Sequence, residues 1–533
     1  MDCMNQTHFP QTRGSLADRS AQAPVDARER NAARSTLRRP IFWLPLCVAA
    51  LSLAGCGGGV AAGSQGNNSA CANACYVSGT VAGLNANQNV KLENNGGDRL
   101  TVAYNANDYF TFPVTQAAGS SYDVTVASHP PAVACSVSNG SGTLVSNVTD
   151  IAVACAKGTE RILYSFAGGT ADGADPNGGL IIDGAGNLYG TTGRGGADGL
   201  GTVFEVSATG TERVLHSFVG GPTDGSNPAA GLVVDSAGNL YGTTYGGGAS
   251  GLGTVFEVSA TGTESILHSF AGGAADGENP SARLVIDSAG NLYGTTYGGG
   301  ASGLGTVFEV SATGAERILH SFAGGAADGA NPSAHLVIDS AGILYGTTYG
   351  GGASGLGTVF EVSATGTESI LYSFAGGPTD GASPDAGLLL DGDILYGTTS
   401  SGSFLTAQNG GAACTNNSGC GTVFGLGING FPQYTVHAFV GGPTDGQDPV
   451  GGLLLGSDGN LYGTTYTGGA NANGAGTVFQ ITPAGETVLY SFAGGTTDGA
   501  GPAGGLAMDS AGNLYGTTQA GGASGAGTVF EIN

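Results

Sequence analysis

The sequence predicts an all-β protein whose largest part is a seven-bladed β-propeller. Two motifs each recur seven times: LYGTT begins at 188, 240, 292, 344, 395, 461 and 514, and GTVF begins at 201, 253, 305, 357, 421, 476 and 527. Successive units are therefore about 52 residues long. No segment shows a sustained helical period. A repeat of this length, made of short apolar runs separated by glycine, is typical of four-stranded sheets arranged around an axis.

Each unit divides into four strands, as the second unit illustrates. The strands are AGLVVD (230–235), NLYGTT (239–244), GTVFEVS (253–259) and ESILHSF (264–270). Tight SAG and ATGT turns join the first strand to the second and the third to the fourth, with glycine supplying positive φ. The other two connections are long and rich in glycine. Because successive antiparallel strands alternate in direction, all the long connections share one face, which we call the long-loop face.

The two ends of the repeat array are complementary. The array begins with TERILYSF (159–166), a fourth strand without the first three, and ends with GTVFEIN (527–533), a third strand without a fourth. We expect these segments to pair, so that the N- and C-terminal strands share the last blade and close the ring without an open edge. The alternative architecture is a linear solenoid, which would need polar caps at its ends. The propeller is predicted to span 157–533, with an insertion at 400–421 in the fifth repeat.

A smaller strand-rich segment, 71–156, precedes the propeller. Short alternating runs such as SYDVTVASHP and VTDIAVAC, separated by Gly, Asn and Pro, predict an antiparallel β-sandwich of six or seven strands. This segment resembles the immunoglobulin-like modules of bacterial surface proteins. We expect Cys135 and Cys155 to link its last strands, whereas the connectivity of Cys71 and Cys75 stays open. Cys414 and Cys420, in the insertion, are further disulfide candidates.

The N-terminal segment 1–55 has the features of an export signal. Several arginines precede the apolar run IFWLPLCVAALSLAG (41–55), which is short for a membrane span and ends in small residues. The final Leu-Ala-Gly before Cys56 resembles the lipobox of bacterial lipoproteins, which implies lipidation of Cys56 and anchoring to the outer membrane or cell surface. The Gly/Ser/Asn-rich segment 56–70 would serve as a flexible tether. The alternative is an ordinary cleaved signal, with Cys56 incidental.

The repeat unit itself resembles a known family. The pattern G-L-x-x-D-x-x-G-N-L-Y-G-T-T, followed by G-T-V-F-E-V and later by L-x-S-F and D-G-x-x-P, is similar to the GloVer tandem repeat over 159–533. That resemblance implies an exported bacterial protein carried by one of several anchoring devices, with no activity attached. The strand order also resembles that of NHL-type propellers, which is a statement about fold alone.

The charge of the chain excludes one class of partner. Fifteen Lys and Arg residues against 40 Asp and Glu give a formal net charge of −25, which repels the phosphate backbone of nucleic acids. We therefore expect no nucleic-acid partner, and we expect a monomer whose acidic surface favours solubility. No G-x-S-x-G or H-E-x-x-H motif is present, and near-identical repeats offer few unique catalytic constellations.

Two repeats differ from the others at the entrance to the first strand. Five repeats carry glycine at this position, whereas the third and fourth carry Arg283 and His335. Both side chains should therefore lie near the mouth of the propeller channel, in adjacent blades. The functional interpretation is a pair that contacts an anion or a sugar. The alternative is a pair of tolerated surface substitutions in recently copied repeats.

Two further sets of side chains lie on the predicted long-loop face. Tyrosine follows GTT in four repeats and could stack on sugar rings or simply pack over the neighbouring blade: Tyr245, Tyr297, Tyr349 and Tyr466. The aspartate of each DG pair could hold Ca²⁺, but its spacing favours a turn in which the carboxylate caps backbone N–H groups: Asp172, Asp224, Asp276, Asp328, Asp380, Asp445 and Asp498. We predict no cofactor, with Ca²⁺ as the alternative.

These observations favour a non-catalytic surface protein that recognises a glycan or a protein through its long-loop face. Two alternatives stay open at this point. One is a hydrolase or lyase that acts at the channel mouth with Arg283 and His335, and the other is a purely structural surface protein. Histidine replaces tyrosine in the outermost strand at His216, His268, His320 and His437, which we interpret as a packing position.

Overall fold

The computed structural model describes residues 74–84, 88–104, 109–377, 379–402, 419–471 and 473–533. Over these residues every element is a β-strand and no helix is present, so the all-β prediction is confirmed. Accordingly, nothing in the described ranges forms a helix long and apolar enough to cross a bilayer. The predicted signal, tether and lipidated Cys56 lie outside the described residues, as does 403–418, most of the predicted insertion.

The N-terminal part forms two four-stranded sheets. Its eight strands are β1 (Val77–Ala82), β2 (Asn89–Asn94), β3 (Asp98–Ala103), β4 (Tyr109–Thr111), β5 (Ser121–Ser128), β6 (Val133–Ser138), β7 (Ser141–Thr143) and β8 (Val148–Lys157). One sheet has the order β4-β1-β8-β6 and the other β3-β2-β5-β7. Alternate side chains of both sheets, among them Val81, Leu92 and Ile151, are buried in one shared core.

Two features of these sheets differ from the sequence prediction. Strands β1 and β8 pair in parallel, so the arrangement is not purely antiparallel. There are also eight strands and not six or seven, because the chain turns at Asn139, which has a φ of 59°, and so divides 133–143 into β6 and β7 of different sheets. Asparagine tolerates this left-handed conformation better than most residues. An alternating pattern identifies strands but does not specify which strand pairs with which.

Disulfides reinforce this part of the chain. Cys135 and Cys155 face each other on β6 and β8 and form the predicted disulfide, which confirms that pairing. Cys75 and Cys420 are also disulfide-bonded. Cys71 and Cys414 lie outside the described residues.

The repeats form seven four-stranded antiparallel sheets of propeller type. The inner strands are β11 (Ile181–Ile182), β17 (Val233–Val234), β23 (Val285–Ile286), β29 (Val337–Ile338), β35 (Leu389–Asp391), β41 (Leu454–Leu455) and β47 (Ala507–Met508). The second strands are β12 (Leu188–Thr192), β18 (Leu240–Thr244), β24 (Leu292–Thr296), β30 (Leu344–Thr348), β36 (Ile394–Thr399), β42 (Leu461–Thr465) and β48 (Leu514–Thr518).

The outer half of each sheet holds the longer strand pairs. The third strands are β14 (Thr202–Val206), β20 (Thr254–Val258), β26 (Thr306–Val310), β32 (Thr358–Val362), β38 (Thr422–Gly427), β44 (Thr477–Thr482) and β50 (Thr528–Ile532). The outer strands are β15 (Glu212–Ser217), β21 (Glu264–Ser269), β27 (Glu316–Ser321), β33 (Glu368–Ser373), β39 (Tyr434–Ala438), β45 (Gly485–Ser491) and β9 (Glu160–Ser165). The inner strands are shorter than the sequence predicted.

The long loops of each repeat contain a small two-stranded ribbon that the sequence analysis missed. The ribbons pair β10 (Gly173–Ala174) with β13 (Arg194–Gly195), β16 (Gly225–Ser226) with β19 (Gly246–Gly247), β22 (Gly277–Glu278) with β25 (Gly298–Gly299), β28 (Gly329–Ala330) with β31 (Gly350–Gly351), β34 (Gly381–Ala382) with β37 (Ser401–Gly402), β40 (Gly446–Gln447) with β43 (Thr467–Gly468), and β46 (Gly499–Ala500) with β49 (Ala520–Gly521). Each ribbon joins the two kinds of long loop, so the long-loop face is ordered by backbone pairing.

Packing within a sheet explains why the repeated motifs are so uniform. Gly242 of LYGTT pairs with Phe256 of GTVFEV, and a Cβ atom on Gly242 would come within 2.6 Å of the phenylalanine ring. The ring therefore requires glycine opposite it. Beside this pair, the buried hydroxyls of Thr244 and Thr254 lie 2.8 Å apart and form a hydrogen bond. Both the apolar and the polar residues of the two motifs therefore contribute to the packing of each sheet.

Each sheet contacts the next sheet through the same buried aromatic pair. The phenylalanine after each outer strand meets the edge of the phenylalanine on the next sheet's third strand, with centroids 5.0–5.2 Å apart: Phe218–Phe256, Phe270–Phe308, Phe322–Phe360, Phe374–Phe424, Phe439–Phe479, Phe492–Phe530 and Phe166–Phe204. These edge-to-face contacts are the favoured geometry for aromatic pairs.

The chain ends meet in the seventh sheet. Strand β9 pairs antiparallel with β50, as predicted, with a register from Thr528–Ser165 to Ile532–Glu160. The seventh sheet also contacts the first sheet as each sheet contacts its successor. Phe166 meets Phe204, and the Thr517 hydroxyl donates to the Gly178 carbonyl at 3.2 Å. The corresponding bond from Thr243 to the Ala282 carbonyl, between the second and third sheets, is 3.1 Å.

The N-terminal sheets contact the seventh sheet. The His129 amide donates to the Ala511 carbonyl at 3.0 Å, and Ala132 is buried in the same cluster as Leu514 and Ile532. The Thr159 amide donates to Asn533 Oδ1 at 3.2 Å. The connection between the two parts is therefore held by both apolar and backbone contacts.

Candidate functional site

A cavity of about 180 Å³ lies where the segments that enter the inner strands converge, and we call it the central cavity. Residues from all seven repeats line it. Its polar side chains are Asn177, Ser281, Arg283, Ser333, His335 and Asp385, and much of the remaining wall is glycine and alanine. Arg283 and His335, singled out by the sequence, thus lie in one cavity.

Arg283 presents an unpaired positive charge to the central cavity. Its Cδ atom lies 3.4 Å from the place that a Cβ atom on Gly231 would occupy, so the side chain extends over the preceding repeat. Among the described residues it has no hydrogen bond and no ion pair. Burial within the surrounding protein lowers the pKa of Arg283, although the guanidinium remains charged at neutral pH. Arg283 is nevertheless exposed to solvent, so its unpaired charge is accessible to an anion.

His335 extends the opposite way, over the next two repeats. A Cβ atom on Gly387 would lie 1.9 Å from His335 Nδ1, and one on Gly452 would lie 3.2 Å from His335 Cε1. Glycine at both positions is therefore required to seat the ring. Burial and the nearby charge of Arg283 lower the pKa of His335 to about 3, so the imidazole is neutral at physiological pH. A neutral ring offers one N–H donor and one acceptor.

The remaining polar groups of the central cavity are Ser333, Asp385 and Asn177. The Ser333 hydroxyl donates to Asp385, which keeps that carboxylate engaged within the protein. Asn177 Oδ1 is buried and has no hydrogen-bond partner among the described atoms. The cavity therefore combines a free cation, a neutral imidazole and an unsatisfied amide oxygen, a set that can orient a small group carrying both a negative charge and a hydroxyl.

The four tyrosines that follow GTT do not line the central cavity. They lie on the long loops with 37–46% of their surface exposed: Tyr245, Tyr297, Tyr349 and Tyr466. Tyr466 is the most engaged, since its hydroxyl donates to Gln519 Oε1 at 2.9 Å and its ring covers Gly501. Their exposure leaves ring surface available for stacking, while sugar binding stays a prediction.

The DG aspartates are turn residues, as the sequence favoured. In the second repeat Asp224 Oδ2 accepts from the Val219 amide at 2.7 Å, and Oδ1 accepts from the Gly225 amide at 2.7 Å. Equivalent backbone bonds occur at Asp172, Asp276, Asp328, Asp380, Asp445 and Asp498. Each carboxylate therefore caps the loop that leads into the next sheet.

The same aspartates have side-chain partners that the sequence analysis missed. His216 Nε2 lies 3.3 Å from Asp224 Oδ1, and Glu264 of the next sheet completes a group whose ligand atoms lie within 4.8 Å of one another. The interpretation of this histidine as a packing residue was incomplete. Its ring does meet the edge of Phe218, with centroids 4.7 Å apart, but its nitrogen faces the carboxylates. Sequence shows only that His or Tyr stands eight residues before each DG aspartate.

The glutamates of these groups lie in an environment that disfavours ionisation. Burial and the charge of Asp224 raise the pKa of Glu264 to about 7, and burial and the charge of Asp445 do the same for Glu486. By contrast, although burial opposes ionisation of Asp224, hydrogen bonds from His216 and from backbone amides lower its pKa. The aspartate is therefore the ionised member of the group at neutral pH.

A family model matches most of the repeats. The Gloeobacter/Verrucomicrobia repeat matches residues 133–275, 209–413 and 403–533, which together span more than half of the chain. The chain belongs to this family. The resemblance predicted from the repeat unit is thereby confirmed. No curated protein matches the chain.

Several solved structures are similar to this Gloeobacter/Verrucomicrobia repeat protein at low identity. A gluconolactonase from Xanthomonas campestris is 15% identical, with a TM-score of 0.34 over 62% of this chain and 90% of that chain. TolB from Acinetobacter baumannii is 12% identical, with a TM-score of 0.32 over 54% and 59%. An extracellular domain assigned to a hybrid two-component system of B. thetaiotaomicron is 11% identical, with a TM-score of 0.44 over 81% and 53%.

Within the Gloeobacter/Verrucomicrobia repeats, one position that lines the central cavity is especially variable. The position two residues before Arg283 differs widely among repeats, as Asn177, Ala229, Ser281, Ser333, Asp385, Val450 and Ala503. The LYGTT and GTVF motifs, which form the sheets, are retained in every repeat. The cavity is therefore the place where near-identical repeats produce an asymmetric set of side chains.

Proposed function

We propose that this chain is an exported surface protein that binds an anionic group of a glycan or protein in the central cavity of a closed, seven-bladed propeller. The single observation that carries this proposal is the guanidinium of Arg283, which has no ion pair among the described residues and lines the same cavity as the neutral ring of His335. The chain as a whole carries a formal charge of −25, so a cation without an acidic partner stands out within it. A carboxylate is the group that a guanidinium binds best, through two parallel hydrogen bonds.

Closure of the ring is part of the proposal, because the central cavity needs all seven repeats. Three kinds of contact support it: the pairing of β9 with β50, the Phe166–Phe204 contact, and the bond from Thr517 to Gly178. Each links the seventh sheet as its equivalents link consecutive sheets. Closure also removes the unpaired edges that an open array of sheets would present. The disulfide-linked sheets before the ring would form an immunoglobulin-like stalk.

The size of the central cavity limits what it can hold. A volume of about 180 Å³ accommodates one small group and not a whole chain. We therefore infer that the cavity takes a terminal acidic group, while the rest of the ligand lies on the long-loop face. The exposed rings of Tyr245, Tyr297 and Tyr349 would contact the neighbouring sugar units or side chains.

Export and anchoring complete the proposal. The apolar run at 41–55 and the lipobox-like residues before Cys56 support secretion followed by lipidation of Cys56. The tether at 56–70 would hold the folded part away from the outer membrane or cell surface, as a monomer. The disulfide between Cys135 and Cys155 suits an oxidising compartment outside the cytoplasm.

Binding is favoured over catalysis by the protonation state of His335. A pKa of about 3 makes this ring a weak base and leaves it without an imidazolium proton to transfer at neutral pH. General acid–base catalysis is most efficient when the catalytic pKa lies near the working pH. A hydrolase or lyase at this position would therefore need another group to move protons.

The test compares acidic and neutral glycans on an array, followed by calorimetry with any glycan retained. We expect uronic or sialic acid termini to bind and their neutral counterparts not to bind. Arg283→Gly, which restores the residue of five other repeats, should weaken binding by more than about tenfold. Arg213→Ser is the matched control, because it removes an equal charge from the outer strand, where the second repeat carries Ser265. Equal binding by Arg283→Gly and the parent would overturn the proposal and favour a structural role.

A further inference from the structure

We propose that four of the seven interfaces between consecutive sheets hold a divalent transition-metal cation, bound by His and Asp of one repeat and Glu of the next sheet. The four groups are His216–Asp224–Glu264, His268–Asp276–Glu316, His320–Asp328–Glu368 and His437–Asp445–Glu486. Their histidines and glutamates lie on the outer strands, and none of the twelve residues lines the central cavity. The inference is therefore independent of the ligand proposed for the central cavity.

The histidine and aspartate of each group are joined by a long hydrogen bond, and the same spacing suits two ligands of a small cation. The distance between histidine Nε2 and aspartate Oδ1 is 3.3, 3.4, 3.3 and 3.4 Å in the four groups. A hydrogen bond from a protonated imidazole to a carboxylate is normally shorter, about 2.7–2.9 Å. Ligand atoms bound to zinc at about 2.0–2.1 Å in a tetrahedron are roughly 3.3 Å apart. The third ligand, from glutamate, lies within 4.8 Å of the other two.

The glutamate of each group supplies the second observation. Oε1 of Glu264, Glu316, Glu368 and Glu486 is buried and has no hydrogen-bond partner among the described atoms. A buried carboxyl oxygen without a partner is costly, and coordination of a cation would satisfy it. The histidine and aspartate side chains are also largely buried, with 18–22% and 7–13% of their surfaces exposed.

The other three interfaces show what the same position does without histidine. There the outer strand carries tyrosine, whose hydroxyl donates directly to the aspartate: Tyr164 to Asp172 at 2.9 Å, Tyr372 to Asp380 at 3.1 Å and Tyr490 to Asp498 at 3.1 Å. These bonds are shorter than the histidine contacts and need no ion, although Oε1 of Glu160 and Glu212 is likewise without a hydrogen-bond partner at two of these interfaces. A neutral hydroxyl is a poor ligand for zinc, whereas imidazole is among the preferred ones.

The ligand set indicates the class of cation. One imidazole and two carboxylates leave a fourth position for water, an arrangement that zinc and similar first-row cations accept. Calcium prefers six to eight oxygen ligands, which this set does not provide. Since the ligands come from two consecutive sheets, a bound cation would join them and raise the stability of the ring.

The experiment titrates Zn²⁺ into chelator-treated, full-length secreted protein. Isothermal titration calorimetry measures the stoichiometry, and differential scanning calorimetry measures the unfolding temperature. We expect four equivalents of Zn²⁺, an unfolding temperature several degrees higher, and no comparable response to Ca²⁺. Replacing all four histidines, as His216→Tyr, His268→Tyr, His320→Tyr and His437→Tyr, should abolish these four equivalents. The fold should survive, because tyrosine occupies this position in three other repeats.

The chain provides a matched pair for a gain of function. Tyr164→His creates a complete fifth set with Asp172 and Glu212, so a fifth equivalent is expected. Tyr372→His lacks the glutamate, because Gln433 stands at that position, so no added equivalent is expected. Absence of Zn²⁺ binding to the parent, retention of four equivalents by the fourfold variant, or equal gains from the two tyrosine variants would each overturn the proposal.

Discussion

The second and seventh sheets of the repeats contain the same contacts but assemble them from very different lengths of chain. In the second sheet the strands β17, β18, β20 and β21 follow one another between Val233 and Ser269. In the seventh, β9 joins three strands from the other end of the chain, and paired Arg161 and Glu531 are 370 residues apart. Both sheets nevertheless share the same register and the same irregularity before the central phenylalanine.

The comparison distinguishes contacts that one continuous repeat encodes from the contacts of β9 that join the two ends of the chain. Bringing together segments separated by several hundred residues, and not about ten, costs about 3 kcal/mol of additional loop entropy. This cost arises once, at β9, and the contacts of β9 must offset it. If those contacts are equivalent to the internal ones, matched substitutions in the two sheets should have closely similar effects. The three predictions that follow test this equivalence.

The largest effect is expected from removing one of the buried phenylalanines between sheets. Phe166 and Phe270 are both fully buried and meet Phe204 and Phe308 at 5.0 and 5.1 Å. Phe166→Ala and Phe270→Ala should each lower the free energy of unfolding by about 3–5 kcal/mol. Chemical denaturation measures this loss. In Phe166→Ala alone, amide exchange should also become faster in β9 and β50, because the N-terminal strand of the seventh sheet is then held less firmly.

A control for this comparison is Phe431→Ala, since Phe431 is 74% exposed in a turn of the fifth repeat. We expect that change to alter the free energy of unfolding by less than about 0.5 kcal/mol. A cost below about 1 kcal/mol for Phe166→Ala, beside a full cost for Phe270→Ala, would mean that β9 is not part of the cooperative unit. The proposed closed ring would then be wrong.

Much of this architecture was predictable because each repeat encodes its own sheet. The positions of LYGTT and GTVF predicted the second and third strands closely, and the incomplete units at the two ends predicted the pairing of β9 with β50. Apolar letters flanked by glycine turns are local signals, and repetition amplifies them. The Cys135–Cys155 disulfide was predictable because the two cysteines fall in adjacent strand-like runs of the sequence.

The remainder could not be predicted because it depends on contacts between repeats. The His216–Asp224–Glu264 group draws its glutamate from the next sheet, so no local spacing identifies it. Likewise, the ring of His335 lies over Gly387 and Gly452 of the two following repeats, which explains glycine there only after the fold is known. The parallel pairing of β1 with β8 was missed for the same reason.

An intermediate effect on the free energy of unfolding is expected from removing the hydrogen bonds that threonine side chains donate to the following sheet. Thr517 and Thr243 donate to carbonyls of the following sheet at 3.2 and 3.1 Å, whereas Thr398 Oγ1 is buried without a partner. Thr517→Val and Thr243→Val should each cost about 1 kcal/mol, because the isosteric change leaves a carbonyl unsatisfied. Thr398→Val, the control, should be neutral or stabilising in urea unfolding. A neutral Thr517→Val beside a costly Thr243→Val would contradict equivalence of the closing contact.

The smallest effect is expected at the two interfaces of the seventh sheet. The residues concerned are Glu160 on β9 and Glu212 on β15 of the first sheet. Burial with the charge of Asp498 raises the pKa of Glu160 to about 7, and burial with Asp172 raises that of Glu212 equally. In the unfolded chain both ionise near pH 4.5. Below that pH neither group affects stability. Between about pH 4.5 and 7 the unfolded state alone loses protons, so stability falls as pH rises, and above pH 7 the full penalty is present.

Glutamine removes this penalty and is already native at the equivalent position, Gln433. Glu160→Gln and Glu212→Gln should therefore flatten the decline in stability between pH 5 and 8, each by less than about 1 kcal/mol because the side chains are partly exposed and screened by solvent. Urea unfolding at several pH values measures this change in the pH dependence of stability. Since Glu160 faces Asp498 only while β9 is docked, a flattened profile for Glu212→Gln without one for Glu160→Gln would mean that the closing strand is undocked in solution. Similar flattening in both variants would show that the closing strand β9 is docked in solution, as a strand of a contiguous repeat is.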